Sequence, residues 1–203
     1  MLRRELIANL SHDLRTPLTT IRGHAYSLKQ ETLSDKGRTS IELIEHKISY
    51  LSQLIENLFS YSLLSSGKYP YHSESTDIVR LTRTVFANWY PVFEREQFTI
   101  DMELPEFSIN WPLDPQWFER VLDNFLQNIM NHAASGRYVS VQISQVGEQT
   151  VLEIKDRGPG MEGETSGKGA GIGLSIVSLM LQEMKLGWDI QSDDQGTQIR
   201  IYS

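Results

Sequence analysis

Two groups of residues in this sequence have types and spacing that could do chemistry. The first is His12 beside Asp13 in "NLSHDLRTPLTTI". An unperturbed imidazole titrates at about pH 6.5, so at neutral pH most of it is an unprotonated nucleophile. A neighbouring carboxylate can accept or hold the proton on the other ring nitrogen. Thr16 lies one turn further on, on the same helix face. His12 falls about 160° around the helix from Leu10 and Leu14, away from the apolar seam. Pro17 cannot donate to the Asp13 carbonyl, so a bend is expected on the turn that carries the pair. One exposed His alone would mean little. Here a second group of residues gives it a context.

That group lies in the C-terminal half. Asn124, Asn128 and Asn131 in "ERVLDNFLQNIMNHA" stand at i, i+4 and i+7, so they share a helix face, with His132 flanking it. Asn costs up to ~0.7 kcal/mol against Ala at an interior helix position, and none of these residues fills a core. The plain alternative is a wet helix face. The chemical reading is carboxamides aimed at phosphates and at a hydrated Mg²⁺, which prefers oxygen ligands. In "LEIKDRGPGM", Asp156 shares strand parity with Leu152 and Ile154 and so points inward. An inward carboxylate needs a partner, and an exocyclic amine such as N6 of adenine would supply one. Gly158 and Gly160 then let the backbone turn closely beside a flat ligand, unless they form a plain Asp-Gly turn. In "GKGAGIGLSIV", Gly167, Gly169, Gly171 and Gly173 alternate ahead of a helix, with Lys168 among them. Bare N–H groups at a helix start attract anions, although the spacing fits neither a Walker loop nor a dinucleotide fingerprint. Thr197 shares parity with Ile199 and Ile201, and its hydroxyl is expected to reach the contact between Asp156 and a base.

Composition narrows the setting. The 203 residues suffice for one large domain or two small ones. A formal net charge of −7 argues against nucleic acid as a partner. With no cysteine, there are no disulfides and no thiolate chemistry. No apolar run approaches the ~18 residues of a membrane span, and no signal peptide opens the chain. A helical pattern already runs at "MLRRELIANL", so preceding sequence is expected.

The elements that would position these residues follow from periodicity. Leu2, Leu6, Leu10, Leu14, Leu18, Ile21, Ala25 and Leu28 mark one long helix, and "TLSDKGR" a turn with Ser34 or Asp35 as cap. Ile41, Ile44, Ile48, Leu51, Ile55 and Leu58 mark a second helix with a coiled-coil type of seam. A lone hairpin leaves such a stripe half covered, so a homodimer forming a four-helix bundle is expected. The alternative is packing on the rest of the same chain. "SSGKYPYHSESTD" reads as a linker. A helix from Asp77 to about Glu94 and the strand "FTIDMEL" follow. Next come a short edge strand "SINWPLD" and a helix capped by Asp114, with Pro115 at its first position. "YVSVQISQV" and "TVLEIKD" alternate as strands, "IGLSIVSLMLQEMK" is a helix, and "LGWDIQS" and "GTQIRIYS" are a closing strand pair. The fold class is two domains: an all-α hairpin (1–66), a linker (67–76) and an α/β sandwich (77–203), a mixed sheet covered by helices on one face.

In order, these motifs resemble a bacterial two-component sensor histidine kinase. "LSHDLRTPL" is similar to the family's H box, "NFLQNIMNHA" to its N box, "DRGPGM" and "GAGIGLSIV" to its glycine boxes, and "GTQIRI" to its last box. The resemblance implies a Bergerat-type, GHKL-class ATP-binding fold and ATP with Mg²⁺ as cofactors. It makes His12 the phosphoacceptor and Asp13 its acid–base partner. Thr16 would orient the water that hydrolyses the phospho-aspartate of a response regulator receiver domain. Asn128 would be the Mg²⁺ ligand, with Asn124 near the phosphates, and Asp156 would bind the adenine amine. Gly158, Gly160, Gly169, Gly171 and Gly173 would shape the pocket and lid, with Asn131, His132, Lys168, Leu174 and Thr197 around the nucleotide. It also implies the cytoplasmic portion of a protein anchored to a membrane by upstream segments. The chain departs from the family in three places. Asn131 and His132 stand where Lys or Arg and then Tyr are usual. Only "MEGETSGK" separates the glycine boxes, with no aromatic lid segment. Ala170 replaces a frequent Ser or Thr. A catalytically weak pseudo-kinase that binds the regulator is therefore the alternative function. A chaperone- or topoisomerase-type ATPase is a third, against which the H box stands.

Overall fold

The computed structural model describes residues 2–65, 69–147, 149–160 and 172–203, the side chains of 2–13, 15, 53 and 172 excepted. The chain divides into two compact units, Met1–Tyr69 and Pro70–Ser203.

The first unit is a helical hairpin of α1 (Leu2–Lys29) and α2 (Asp35–Leu64). Of the two cap candidates, Ser34 takes the position, and its side chain accepts the Gly37 N–H. Arg22 donates to Ser52 at 3.3 Å and Lys29 to Glu45 at 2.7 Å, which sets the helices antiparallel. The apolar seam divides in two. Ala25, Ile41 and Ile48 are buried within the hairpin, whereas Leu14, Ile21 and Leu28 of α1 and Ile44, Leu51 and Leu58 of α2 are exposed. Each exposed set recurs every seven residues. The helix α1 continues through Pro17.

The second unit begins earlier than its sequence suggests. Residues 70–76, expected as linker, are folded into it. Glu74–Asp77 form β1, which pairs antiparallel with β3 (Asn110–Leu113) as a separate ribbon, so "SINWPLD" does not edge the main sheet. The cause is non-local. Buried Asp114 caps the helix α4 (Pro115–His132) through Oδ1, which accepts from Gln116 and Trp117 N–H, while Oδ2 accepts His72 N–H at 2.7 Å. Trp117 Nε1 donates to the Pro70 carbonyl at 2.8 Å, and the Tyr71 ring meets the Trp117 ring edge-on.

The main sheet has order β2-β4-β5-β7-β6, from β2 (Thr99–Glu103), β4 (Tyr138–Val146), β5 (Gln149–Asp156), β6 (Gly187–Asp193) and β7 (Gly196–Tyr202). It is mixed, because β2 and β4 run parallel and the other neighbours antiparallel. The period-two alternation buries Val139, Val141, Ile143, Leu152, Ile154, Ile199 and Ile201 on one face. Against that face lie α3 (Ile78–Arg95), α4 and α5 (Ile172–Glu183), which contribute Phe86, Phe93, Phe118, Leu122, Phe125, Ile176 and Met180 to the core. The other face is polar: Arg200, Lys155 and Gln198 all engage Glu153. Among the described residues no helix is long and apolar enough to cross a membrane.

Candidate functional site

The candidate residues lie on the C-terminal half of α4, the end of β5 and the β6–β7 turn, and Ala133 at the end of α4 lies against Gly158 beside Asp156. In α4 the apolar face of Trp117, Phe118, Val121, Leu122, Phe125 and Ile129 is buried, and the Asn stripe runs beside it. Asn124 is buried, and its Nδ2 donates to the Arg120 carbonyl one turn back at 2.7 Å, so its amide is tied to its own helix. Asn128 is half-buried, and its carboxamide makes no hydrogen bond among the described residues. Asn131 is exposed and accepts from Gln127 at 3.2 Å, and His132, also exposed, ends the helix.

Asp156 is the last residue of β5, on the face of Leu152 and Ile154, and it is half-buried. Its Oδ1 accepts two backbone N–H groups, Gly158 at 2.8 Å and Thr197 at 3.2 Å. Burial pushes its carboxyl above the ordinary aspartate value, and the two N–H donors only partly offset this. Oδ2 takes no hydrogen bond among the described residues, so an amine donor would find an acceptor there. Thr197 is buried, but its expected role changes. Its backbone N–H, not its hydroxyl, reaches Asp156, while Oγ1 pairs with Ser192 Oγ at 3.0 Å.

The glycines are needed for packing against the chain itself, a constraint the sequence reading missed. A Cβ on Gly158 would stand 2.5 Å from Ala133 Cβ. Gly160 has φ +73, and a Cβ there would overlap the Asp193 carbonyl. Gly196, not singled out from sequence, has φ +140 and lies against the Asp156 carbonyl. Its only sequence signal was its place before Thr197 in the closing motif. A shallow cleft of about 180 Å³ adjoins Asp156, lined by Lys155, Gln191, Asp193, Gln195, Thr197 and Gln198. Gly173 is half-buried and Leu174 buried at the start of α5. Lys168, Gly169 and Gly171, with Gly167 and the short lid, lie outside the described residues. In the other unit His12 and Asp13 belong to α1, their side chains outside the described set, and Thr16 and Pro17 are exposed.

Comparison with known proteins agrees with both units. Residues 2–67 match the His Kinase A (phospho-acceptor) domain, and residues 113–203 match the Histidine kinase-, DNA gyrase B-, and HSP90-like ATPase. Sensor histidine kinase YvrG of Bacillus subtilis is 30% identical over 194 residues, covering 86% of this chain and 33% of that protein. Sensor protein GtcS of Aneurinibacillus migulanus is 26% identical over 191 residues, covering 87% of this chain and 52% of that one. The chain thus spans a third to a half of these relatives. In fold it is similar to full-length ShkA in complex with AMPPNP, with a TM-score of 0.68 at 24% identity over 98% of this chain and 45% of that one. It is also similar to the Acinetobacter baumannii histidine kinase AdeS, with a TM-score of 0.66 at 20% identity over 94% of this chain and 96% of that one. With a phosphoacceptor hairpin followed by a kinase-type ATPase domain, the chain is a two-component histidine kinase core.

Proposed function

We propose that this chain transfers the γ-phosphoryl group of ATP to the imidazole of His12, releasing ADP, and then passes it to an aspartate of a response regulator receiver domain. The observation that carries the reading is Asp156. Its half-buried carboxylate is fixed through Oδ1 by two backbone donors, so its second oxygen suits an adenine amine. A carboxylate in this setting is costly without such a partner.

Asn128 fits a Mg²⁺ role, because its carboxamide is half-buried and makes no hydrogen bond among the described residues. Bound there with the phosphates, Mg²⁺ would supply charge neutralisation, where phosphoryl-transfer catalysis mostly lies. Asn124 would lie near the phosphates, with its Nδ2 already donated to the Arg120 carbonyl. Lys168, Gly169, Gly171, Gly173 and Leu174 would close over the nucleotide. Asp13 would hold the second imidazole proton, and Thr16 would orient water in a phosphatase reaction on the receiver domain. The whole protein would be held at a membrane by upstream segments.

A homodimer is supported by the exposed heptad residues Leu14, Ile21, Leu28, Ile44, Leu51 and Leu58, which a second hairpin would cover. A second reading, a weakly catalytic regulator-binding module, is favoured by Asn131, a neutral amide bonded to Gln127 where a phosphate-binding cation would help. Incubation with γ-labelled ATP and Mg²⁺ separates the two. Acid-labile label that disappears with a chelator supports the kinase, and an unlabelled protein that still binds ADP supports the module.

A further inference from the structure

The loop joining α4 to β4 packs on the Asp156 turn more tightly than side chains permit. Gly136 has no room for a Cβ, which would overlap the Arg157 carbonyl. On the same turn Gly158 lies against Ala133, the C-cap of α4, with 2.6 Å between an added Cβ and the Ala133 Cα. Neither Gly136 nor Gly158 has a positive φ, so the constraint is space rather than backbone conformation. The Arg157 guanidinium stacks 3.8 Å from the centroid of the Tyr138 ring. Val139 is the cross-strand partner of Asp156. The loop is braced from behind as well. Gly136 N–H donates to the Ala133 carbonyl at 3.0 Å, and Thr99 N–H donates to the Arg137 carbonyl at 2.8 Å.

We propose that this loop, packed through Gly136 and the adjoining Tyr138 on Arg157, is the spacer that sets the separation between Asp156 and the amide stripe of α4. The proposal rests on the ATP-binding reading. A helix moves as a rod, so a shift imposed at Ala133 carries Asn128 with it, whereas Asp156 is held to Thr197. A ligand that occupies the Asp156 end alone is indifferent to that separation. A ligand that must reach both ends is not, because such sites tolerate only fractions of an ångström. Gly136 and Tyr138 are thus positioning residues for the nucleotide and touch no part of it.

The test compares Mg²⁺–ADP, which spans both ends, with adenosine, which uses one. Dissociation constants for the wild type, Gly136→Ala and Tyr138→Leu would be measured by NMR titration of the whole chain. ADP affinity is expected to fall about 10-fold in Gly136→Ala and about 3-fold in Tyr138→Leu, with adenosine changed less than about 2-fold. Equal losses for the two ligands would reduce the loop to a general support of the fold and overturn the proposal. So would unchanged ADP affinity in folded variants. If Gly136→Ala does not fold, Tyr138→Leu decides by the same ratio. A wild type that binds neither ligand would overturn the ATP-binding reading first, and the spacer with it.

Discussion

The Oδ1 atom of Asp156 accepts the backbone N–H of Thr197 at 3.2 Å, joining residues 41 apart in the chain. The same oxygen accepts Gly158 N–H, and Gly196 lies so close to the Asp156 carbonyl that no side chain fits between them. The carboxylate is therefore set by backbone on both sides, one oxygen committed and the other without a hydrogen bond among the described residues. Substituting Asn at 156 would keep an oxygen for Gly158 and Thr197 but turn an NH₂ toward an incoming amine. Asp156→Asn should lose about 10- to 100-fold in ADP affinity, the equivalent of one charge-assisted hydrogen bond. Calorimetric titration reads it directly, and retained affinity would remove Asp156 from the site.

The same carboxylate gives a pH signature. Burial raises its pKa in the folded protein above the unfolded value. Its favourable contribution to stability is thus complete below the ordinary carboxylate pKa, about 3.9, and is lost as pH rises through the folded value. Asp156→Asn has no such titration. Denaturant midpoints should show the variant gaining on the wild type as pH rises through that window, with the variant at least as stable at pH 7. A constant difference would contradict the buried-carboxylate account.

Gly160 and Gly147 offer a matched pair. Both have positive φ, +73 and +67, but a Cβ at Gly147 meets nothing within 4 Å, whereas one at Gly160 overlaps the Asp193 carbonyl. Gly147→Ala should cost about 1 kcal/mol, from backbone strain alone. Gly160→Ala should cost roughly 2–4 kcal/mol, because strain and overlap combine. Urea denaturation of each variant tests the difference, and equal costs would deny the contact.

Asp114 holds both the start of α4 and the segment leading into β1. Asp114→Ala should destabilise the second unit by roughly 2–3 kcal/mol, from a lost cap and an orphaned His72 N–H. Asp114→Asn, which keeps one acceptor, should cost about half as much. If Ala and Asn were equally harmless, residues 70–73 would not be anchored as described.

The hairpin makes its own prediction. Leu51 and Tyr50 are similarly exposed, 45% and 49%, but stand about 100° apart around α2. Only Leu51 lies in the seven-residue row with Ile44 and Leu58. Leu51→Glu should shift the protein to monomer in sedimentation, and Tyr50→Glu should leave it dimeric. The reverse outcome would place the partner on the other face.

Most strands, the helix order and the caps were legible in the sequence because they depend on local signals. Strict alternation in "YVSVQISQV" and "TVLEIKD" matches β4 and β5, and Asp114–Pro115 marks the start of α4. The segment Pro70–Asp77 was not legible. Its composition reads as linker, and what folds it is Trp117 and Asp114, more than 40 positions away. The glycines near Asp156 were found, but their reason was not. Nothing local in "DRGPGM" reports that Ala133 and Asp193 lie against it. Periodicity likewise identified the hairpin seam but not its division, because Ile41 and Ile44 look alike until one is buried and the other exposed.

The central claim is that His12 receives the phosphoryl group of ATP, and site-resolved labelling tests it most directly. Wild type and His12→Gln would be incubated with γ-labelled ATP and Mg²⁺, with ADP affinity measured alongside to show an intact ATPase domain. The account predicts acid-labile label on the wild type and none on His12→Gln, at equal ADP affinity. Undiminished label on His12→Gln, or none on a wild type that binds ADP, would contradict it.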